Sequence, residues 1–209
     1  LNVTHAQWYH TALAEAFIRA CAETGIHDNP DVNGASQEGA GWFQYTMRNG
    51  RRVSAAAAFL SPARTRKNLT VLTGKMCSRV IIEKDRATGV EFYKGKSVHV
   101  VRAAKEIIIS AGAFESPKLL LLSGIGAKDE LNALGIEVKK DLPGVGRNLH
   151  DHLFYPVSSL CALPISNNHY LPPLRQFFEA VKYLFTHSGP FSIGPLEAVA
   201  FFRSDASIA

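Results

Sequence analysis

The stretch 107–126 reads IIISAGAFESPKLLLLSGIG, and its pattern decides the fold. Its first three residues, 107–109, are β-branched and apolar, which is typical of a buried strand. The small residues 110–112 end that strand and allow another group to approach the backbone closely. Ser116 followed by Pro117 predicts a helix start, because a hydroxyl caps free N–H groups and proline suits the first helical position. A strand, a tight turn and a capped helix are the parts of a nucleotide-binding half-unit.

Four short β-rich segments precede this stretch, at 69–72, 79–83, 90–93 and 97–102. Turn residues separate them, so we predict a small antiparallel meander that leads into the strand at 107–109. The chain is therefore expected to belong to the α/β class, with an α+β part.

Periodicity and composition predict two helices, two strands and a turn outside these segments. Apolar residues at three- and four-residue spacings predict amphipathic helices at 5–23 and 174–185. Strand composition marks 42–46 and 199–203, and Asn49-Gly50 is a turn signal.

Composition limits the possible functions. The 209 residues are 46% apolar and 20% charged, which is ordinary for a globular protein with a sizeable core. The net charge of +5 is mild, and no aromatic residues interleave with the basic cluster, so we expect no nucleic-acid partner. The longest apolar stretch carries Glu115, Pro117 and Lys118, so we expect no membrane span. The basic cluster consists of Arg48, Arg51, Arg52, Arg64, Arg66 and Lys67.

No metal site or disulfide framework is expected. Cys21, Cys77 and Cys161 are far apart and form no CxxC pair. The motif 150–152, His-Asp-His, offers two histidines on one strand face without a clear third ligand. Two glycosylation sequons, at Asn2 and Asn68, favour secretion slightly. The sequence does not indicate an oligomeric state.

Five collinear blocks carry a family resemblance. The segment 112–126 resembles the second signature of the glucose–methanol–choline (GMC) flavoprotein oxidoreductases, and 141–152, DLPGVGRNLHDH, resembles a later block of that family. The blocks that complete the series are NGRRVS at 49–54, RKNLTV at 66–71, and Gly189-Pro190 with EAVAF at 197–201. The resemblance is closest to the glucose dehydrogenase-like branch.

The resemblance implies FAD as the cofactor and oxidation of a CH–OH group in an alcohol or sugar by hydride transfer to the flavin. Cys77 falls where the family usually has a valine whose backbone contacts the adenine. Ala111 and Gly112 fall where the family backbone runs close to the ADP half of FAD. The resemblance thus makes Cys77, Ala111 and Gly112 the candidate cofactor-binding residues.

The same resemblance divides the chain into three parts. Residues 1–66 are interpreted as a substrate-domain or connecting segment, 67–155 as a Rossmann-like FAD-binding portion with the flavin lid, and 156–209 as the beginning of the substrate-binding domain. Candidate residues for the substrate-pocket wall are Phe191, Glu197, Phe201 and Phe202.

Two family features are not found in the sequence. No GxGxxG lies between a strand and a helix, because Gly124-Ile125-Gly126 follows a predicted helix. The family's catalytic histidine belongs to a C-terminal segment, so we assign no catalytic residue in this chain. We therefore interpret the 209 residues as an internal fragment of a flavoenzyme that is inactive alone. The alternatives are a non-catalytic GMC-like binding protein that has lost its chemistry, and a generic α/β nucleotide-binding module.

Overall fold

The computed structural model describes residues 2–5, 9–194, 196–205 and 207. The chain divides into two compact units, each described here by itself. Unit 1 comprises Leu1–Leu69 and Val157–Ala209, and unit 2 comprises Thr70–Pro156.

The described residues form short strands and helices. The strands are β1 (Thr4–His5), β2 (Gly39–Trp42), β3 (Gln44–Tyr45), β4 (Met47–Arg48), β5 (Arg51–Arg52), β6 (Met76–Glu83), β7 (Arg86–Lys94), β8 (Ser97–Arg102), β9 (Ile125–Gly126), β10 (Lys140–Asp141) and β11 (Ala198–Phe201). The α-helices are α1 (Ala12–Glu23), α2 (Ser61–Ala63), α3 (Gly112–Leu122), α4 (Lys128–Ala133) and α5 (Pro173–Thr186). A π-helical turn spans Ala56–Leu60, and 3₁₀ turns span Asn167–Tyr170 and Pro190–Ser192.

Helix α1 begins later than its periodicity predicts. Thr11 is the N-cap, and its hydroxyl accepts a hydrogen bond from the Ala14 backbone N–H at 3.3 Å. Because a capping hydroxyl satisfies a free N–H at the helix end, the helix is stabilised from residue 12 onward. Ala14 and Cys21 are its buried residues, and residues 6–8 of the predicted helix lie outside the described residues.

The core of unit 1 lies between α1 and the antiparallel pair β2–β11. The strand predicted at 42–46 is replaced by β2 and β3. These two strands have different partners, since β2 pairs with β11 and β3 pairs with β1. At the start of β2 the backbone makes a close contact, where the Ala40 N–H donates to the His27 carbonyl at 2.9 Å. A methyl group added at Gly41 would overlap the carbonyl oxygen of Asn29. Only glycine permits this approach.

The predicted turn at Asn49-Gly50 is confirmed. It joins β4 to β5, and both turn residues have positive φ angles, 50° and 67°. Helix α5 packs beside this hairpin, where the Tyr183 hydroxyl donates to the Gly50 carbonyl at 3.0 Å.

The meander in unit 2 is confirmed with three strands rather than four. Strands β6, β7 and β8 pair antiparallel in chain order. Lys84 and Asp85, at φ 49° and 60°, form the tight turn between β6 and β7. Segment 69–72 is irregular, because no described strand lies beside it to accept its backbone hydrogen bonds.

The strand predicted at 107–109 is wrong for the described structure. The segment is irregular, and Ile108 is 78% exposed. An apolar run becomes a strand only when a neighbour pairs with its backbone, and no described strand pairs with this one.

The predicted helix start at Ser116-Pro117 is also wrong. Helix α3 begins at Gly112, and Pro117 lies inside it. The Ser116 hydroxyl instead accepts the Ala111 backbone N–H at 3.0 Å, so it serves the turn that precedes the helix. Residues 112–116 of the helix therefore precede the proline.

Ser123 joins helix α3 to strand β6. Its hydroxyl accepts the Val80 backbone N–H at 2.8 Å and donates to the Leu119 carbonyl at 2.5 Å. Ser123 and Val80 are both buried. One hydroxyl therefore satisfies groups from the strand and from the end of the helix.

The chain after α3 packs closely against it. Strands β9 and β10 pair in parallel, and Leu131 of α4 is 1% exposed. A methyl group added at Gly124, which has a φ of 82°, would overlap the Glu137 carbonyl oxygen. Gly124 therefore allows the chain to turn back toward β10.

We predict that Ser123→Ala loosens β6 from α3. The Val80 N–H would be buried without a partner, at a cost of about 1–3 kcal/mol. Native-state hydrogen exchange of the β6 amides should be faster by the corresponding factor. Ser97→Ala, at an exposed strand end, is the control and should change exchange little. Equal rates in the two variants would contradict the proposed link.

Candidate functional site

A cleft of about 640 Å³ lies in unit 2 between the meander and helix α3. Its walls are mostly apolar, with a few polar groups at one side. The lining residues are Met76, Cys77, Ser78, Tyr93, Ala111, Glu115, Lys118, Leu119 and Leu122. Apolar walls with few polar groups suit a flat organic ligand.

The structure brings two of the three predicted cofactor-binding residues to this cleft. Cys77 lies on β6 and Ala111 lies at the N-terminal end of α3, and both line the cleft. Gly112 follows directly and has a φ of 90°, a backbone conformation that favours glycine. No atom lies within 4 Å of the position that a Cβ of Gly112 would occupy. The backbone at Gly112 is therefore open to an approaching group.

A β-bulge shapes the strand side of the cleft. Cys77 pairs with Phe92 and Arg79 pairs with Glu91, so Ser78 is the extra residue between them. Bulges turn neighbouring side chains and locally interrupt the ladder. Strand β6 lies at the edge of this sheet, so among the described residues one side of its backbone has no strand partner.

Glu91 holds the bulge in place. The Ser78 hydroxyl donates to Glu91 Oε1 at 2.8 Å, and Arg79 Nη2 lies 2.8 Å from Glu91 Oε2. The Ser78 hydrogen bond first, and then the Arg79 guanidinium, lower the pKa of Glu91 below its ordinary value of 4.5. Sequence reasoning missed this group, because the cross-strand pairing depends on a register that no local motif encodes.

The polar side of the cleft is formed by an ion pair on α3. Lys118 Nζ lies 3.1 Å from Glu115 Oε2, three residues earlier on the same helix face. Glu115 is in the first helical turn, where a negative charge complements the helix dipole. Both side chains are well exposed, so Lys118 is able to interact with a ligand at the cleft mouth.

The four candidate wall residues of the substrate pocket do not come together. Glu197 lines a cleft of about 300 Å³ in unit 1 beside Thr11. Phe201 and Phe202 line a different cleft of about 650 Å³. Phe191 packs on the Tyr183 ring, with centroids 6.4 Å apart.

Glu197 is a charged group beside partly buried tyrosines. Its Oε2 accepts the Thr11 backbone N–H at 2.9 Å. Burial, and secondarily the charge of Glu197, raise the pKa of Tyr45. Burial also raises the pKa of Tyr9, with Tyr170 adding to the effect. The charge of Glu197 therefore makes a neighbouring tyrosine hydroxyl of unit 1 harder to deprotonate.

The residues that the structure describes contain neither a metal-ligand cluster nor a helix that could span a membrane. In that part of the chain, no three His, Cys, Asp or Glu side chains are grouped so as to hold a metal ion. None of the described helices combines the length and the apolar character that a bilayer crossing requires.

A three-stranded meander packed on a helix, with an apolar cleft between them, gives unit 2 a mixed helix and strand architecture. The family model for GMC oxidoreductase matches residues 1–154. The chain therefore belongs to the GMC oxidoreductase family.

Known relatives agree with this assignment. The chain is 44% identical to an oxygen-dependent choline dehydrogenase of Rhizobium etli (strain CIAT 652), over 92% of this chain and 35% of the relative. It is 42% identical to the mitochondrial choline dehydrogenase of Homo sapiens, over 92% of this chain and 32% of the relative. The chain thus spans about one third of the length of these relatives.

A solved structure of a formate oxidase shows the same fold. Its TM-score is 0.81 at 27% identity, and the match covers 98% of this chain and 37% of that chain. The family resemblance and the fold class are confirmed. The branch within the family stays a prediction, because the relatives named here are choline dehydrogenases. The roles of Cys77, Ala111 and Gly112 also stay predictions.

We predict that Glu91 makes stability depend on pH. Its folded-state pKa is lowered, so its stabilising contribution is present above the ordinary carboxyl pKa and is lost as the pH falls through the lowered value. Glu91→Gln should flatten the acid side of the curve of unfolding midpoint against pH. The exposed Glu106→Gln variant is the control and should keep the slope of the unaltered protein. The prediction fails if Glu91→Gln also keeps that slope.

Proposed function

We propose that the whole protein is an FAD-dependent oxidoreductase that oxidises the CH–OH group of an alcohol. Membership of the GMC family over residues 1–154 carries this proposal, because GMC oxidoreductases bind FAD. FAD, when bound, accepts a hydride from the alcohol carbon. The activity is proposed for the whole protein, since this chain spans about 35% of its relatives.

The unit 2 cleft fits the adenine end of FAD. Its volume, about 640 Å³, is in the range of small-molecule sites, roughly 300–1,000 Å³. Tyr93, Leu119 and Leu122 provide apolar surface for a flat aromatic base. The exposed ammonium of Lys118 is a donor for the polar part of the same ligand.

The small residues at the start of α3 bring backbone close to this ligand. Ala111 and Gly112 lack bulk, and the Cβ position of Gly112 faces open space. Cys77 contributes through the backbone of an edge strand, so its thiol is not required for the contact. These features support cofactor binding by Cys77, Ala111 and Gly112.

The three parts of the chain have different proposed roles. Residues 67–155 bind the adenine side of FAD and form the flavin lid. Residues 1–66 and 156–209 contribute to the substrate side. We assign binding and orientation to the residues that the structure describes, and we assign the catalytic base to none of them.

The proposed substrate is an alcohol with a positively charged group. The Glu197 carboxylate lines a cleft with the apolar side chains of Leu13 and Phe17, which suits a cation attached to a short carbon chain. Glu197 Oε2 is engaged by Thr11, and the charge of the carboxylate still acts on a nearby cation. Choline, the substrate named in the relatives, has this chemistry.

We predict that Gly112→Ala weakens FAD binding. An alanine at a φ of 90° is strained by on the order of 1–3 kcal/mol, and relieving the strain would move the backbone at the cleft. Gly135→Ala is a matched control, since Gly135 has a φ of 69° and open space around its Cβ position, and neither of its chain neighbours lines the cleft, whereas Ala111 beside Gly112 does. Titration of the apoprotein with FAD should show weaker binding for Gly112→Ala only.

Cys77→Val tests the backbone contact at the same site. This variant should bind FAD as tightly as the unaltered protein, because the proposed contact uses main-chain atoms. A large loss of affinity would show that the thiol itself is needed.

We predict that Glu197→Gln raises KM for choline by about tenfold, which corresponds to about 1.4 kcal/mol, because the variant loses the negative charge that attracts the cation. The amide oxygen still accepts the Thr11 N–H, so the fold should be retained. Oxidation of 3,3-dimethylbutan-1-ol, the uncharged analogue, should change little. Equal losses for both alcohols would exclude a charge-specific role.

If no alcohol reduces the flavin of the whole protein under anaerobic conditions, the proposed activity is wrong. An absorbance spectrum without flavin bands, after incubation with FAD, would show that the cofactor assignment fails as well.

A further inference from the structure

The backbone and the side chain of Glu197 are fixed by different elements of unit 1. The Glu197 carbonyl accepts the Phe43 backbone N–H at 2.9 Å, next to the paired strands β2 and β11. The carbonyl of the preceding residue, Leu196, accepts the Tyr45 hydroxyl. The side chain is held from elsewhere, since Glu197 Oε2 accepts the Thr11 backbone N–H at 2.9 Å. The sheet therefore fixes the main chain of Glu197, and the start of helix α1 fixes its carboxylate.

Thr11 has two separate hydrogen-bonding roles. Its hydroxyl caps helix α1 by accepting the Ala14 N–H, and its own backbone N–H donates to Glu197. Thr11 is 8% exposed, so water has little access to it. A buried N–H without an acceptor is costly, and a charged carboxylate is a stronger acceptor than a neutral group. The bond between Thr11 and Glu197 is therefore favoured by the burial of the donor and by the charge of the acceptor.

This hydrogen bond gives the two carboxylate oxygens different surroundings. Oε2 is engaged by Thr11, whereas Oε1 has no hydrogen-bond donor among the residues that the structure describes. Glu197 and Thr11 both line the cleft of about 300 Å³ to which Leu13 and Phe17 contribute apolar surface. Oε1 is therefore the oxygen that is left for a cation in this cleft.

The start of a helix is a favourable place for this carboxylate. Helix α1 has 12 residues, and the free N–H groups of its first turn favour a negative charge at this end. A carboxylate that is held before the substrate arrives loses little rotational freedom when a cation binds. A freely rotating carboxylate would have to be ordered by the substrate, and the affinity would be lower.

We propose that Thr11 is a positioning residue for substrate recognition, because its backbone N–H orients the Glu197 carboxylate toward the cation of the substrate. The inference rests on the proposed function, in which Glu197 recognises a positively charged alcohol. Thr11 acts through Glu197, so its N–H affects the binding of the charged group and not the rate of hydride transfer.

Proline at position 11 removes the donor with little change of the backbone. Thr11 has a φ of −95° and a ψ of 147°, an extended conformation close to that of proline. Thr11→Pro loses both the hydroxyl and the N–H, whereas Thr11→Ala loses only the hydroxyl. The difference between these two variants of the whole protein therefore isolates the N–H.

Steady-state kinetics of the FAD-loaded whole protein test the proposal. Thr11→Pro should raise KM for choline about fivefold relative to Thr11→Ala, because the substrate must then order the released carboxylate. The two variants should have the same kcat for choline and the same KM for uncharged 3,3-dimethylbutan-1-ol. Both variants should unfold at a lower temperature than the unaltered protein, since both lack the capping hydroxyl.

A double variant separates positioning from a general effect on the fold. With Glu197→Gln already present, Thr11→Pro should not change the ratio of the two KM values further, because the charge that it would displace is gone. Equal ratios for Thr11→Pro and Thr11→Ala would overturn the inference, as would a proline effect that persists with Glu197→Gln. An unaltered protein that does not prefer choline to the uncharged alcohol would instead overturn the proposed substrate, and this inference with it.

Glu197→Asp gives a second measurement if Thr11→Pro does not fold. The aspartate keeps the charge, but its side chain is shorter by one methylene, so from the same backbone position it no longer reaches the Thr11 N–H. KM for choline should then rise toward the value of Glu197→Gln, with KM for 3,3-dimethylbutan-1-ol unchanged. A KM for choline equal to that of the unaltered protein would show that the orientation set by Thr11 is not needed.

Discussion

The hydroxyl of Ser123 is the contact on which the arrangement of unit 2 depends. It accepts the Val80 N–H from the meander and donates to the Leu119 carbonyl at the end of α3. A buried hydroxyl with both roles satisfied fixes the distance between strand and helix. The cleft lies between β6 and α3, and Cys77 and Ala111 both line it. Ser123 is not part of the lining, but its two hydrogen bonds link the strand and the helix that form it.

Gly124 and the β-bulge at Ser78 fix the position of the backbone near the cleft. Gly124 lets the chain after α3 pass close to Glu137, where any side chain would overlap the carbonyl. The bulge at Ser78 shifts the register of β6 beside Cys77, and Glu91 stabilises it through Ser78 and Arg79. These are local constraints on backbone position, and they position the edge strand β6 and helix α3 around the cleft.

Helix α5 and segment 107–109 show the same dependence on neighbours. The isoleucines form no strand where no described strand pairs with them, and the phenylalanines of α5 are exposed where nothing described packs on them. Both segments have strong intrinsic propensity. Propensity determines what a segment can form, whereas hydrogen-bonding and packing partners determine whether it does.

The sequence by itself determined the family, the meander, the hairpin turn at Asn49-Gly50 and the existence of most helices, because periodicity and turn chemistry are local. The ordered series of family motifs also predicted Cys77 and Ala111, two residues that line the same cleft. Only the tertiary structure decided the helix start at Gly112, the bulge with its Glu91 partner, and the separation of Glu197 from Phe201 and Phe202. These features depend on strand register and on contacts between residues far apart in the chain, which no local pattern contains.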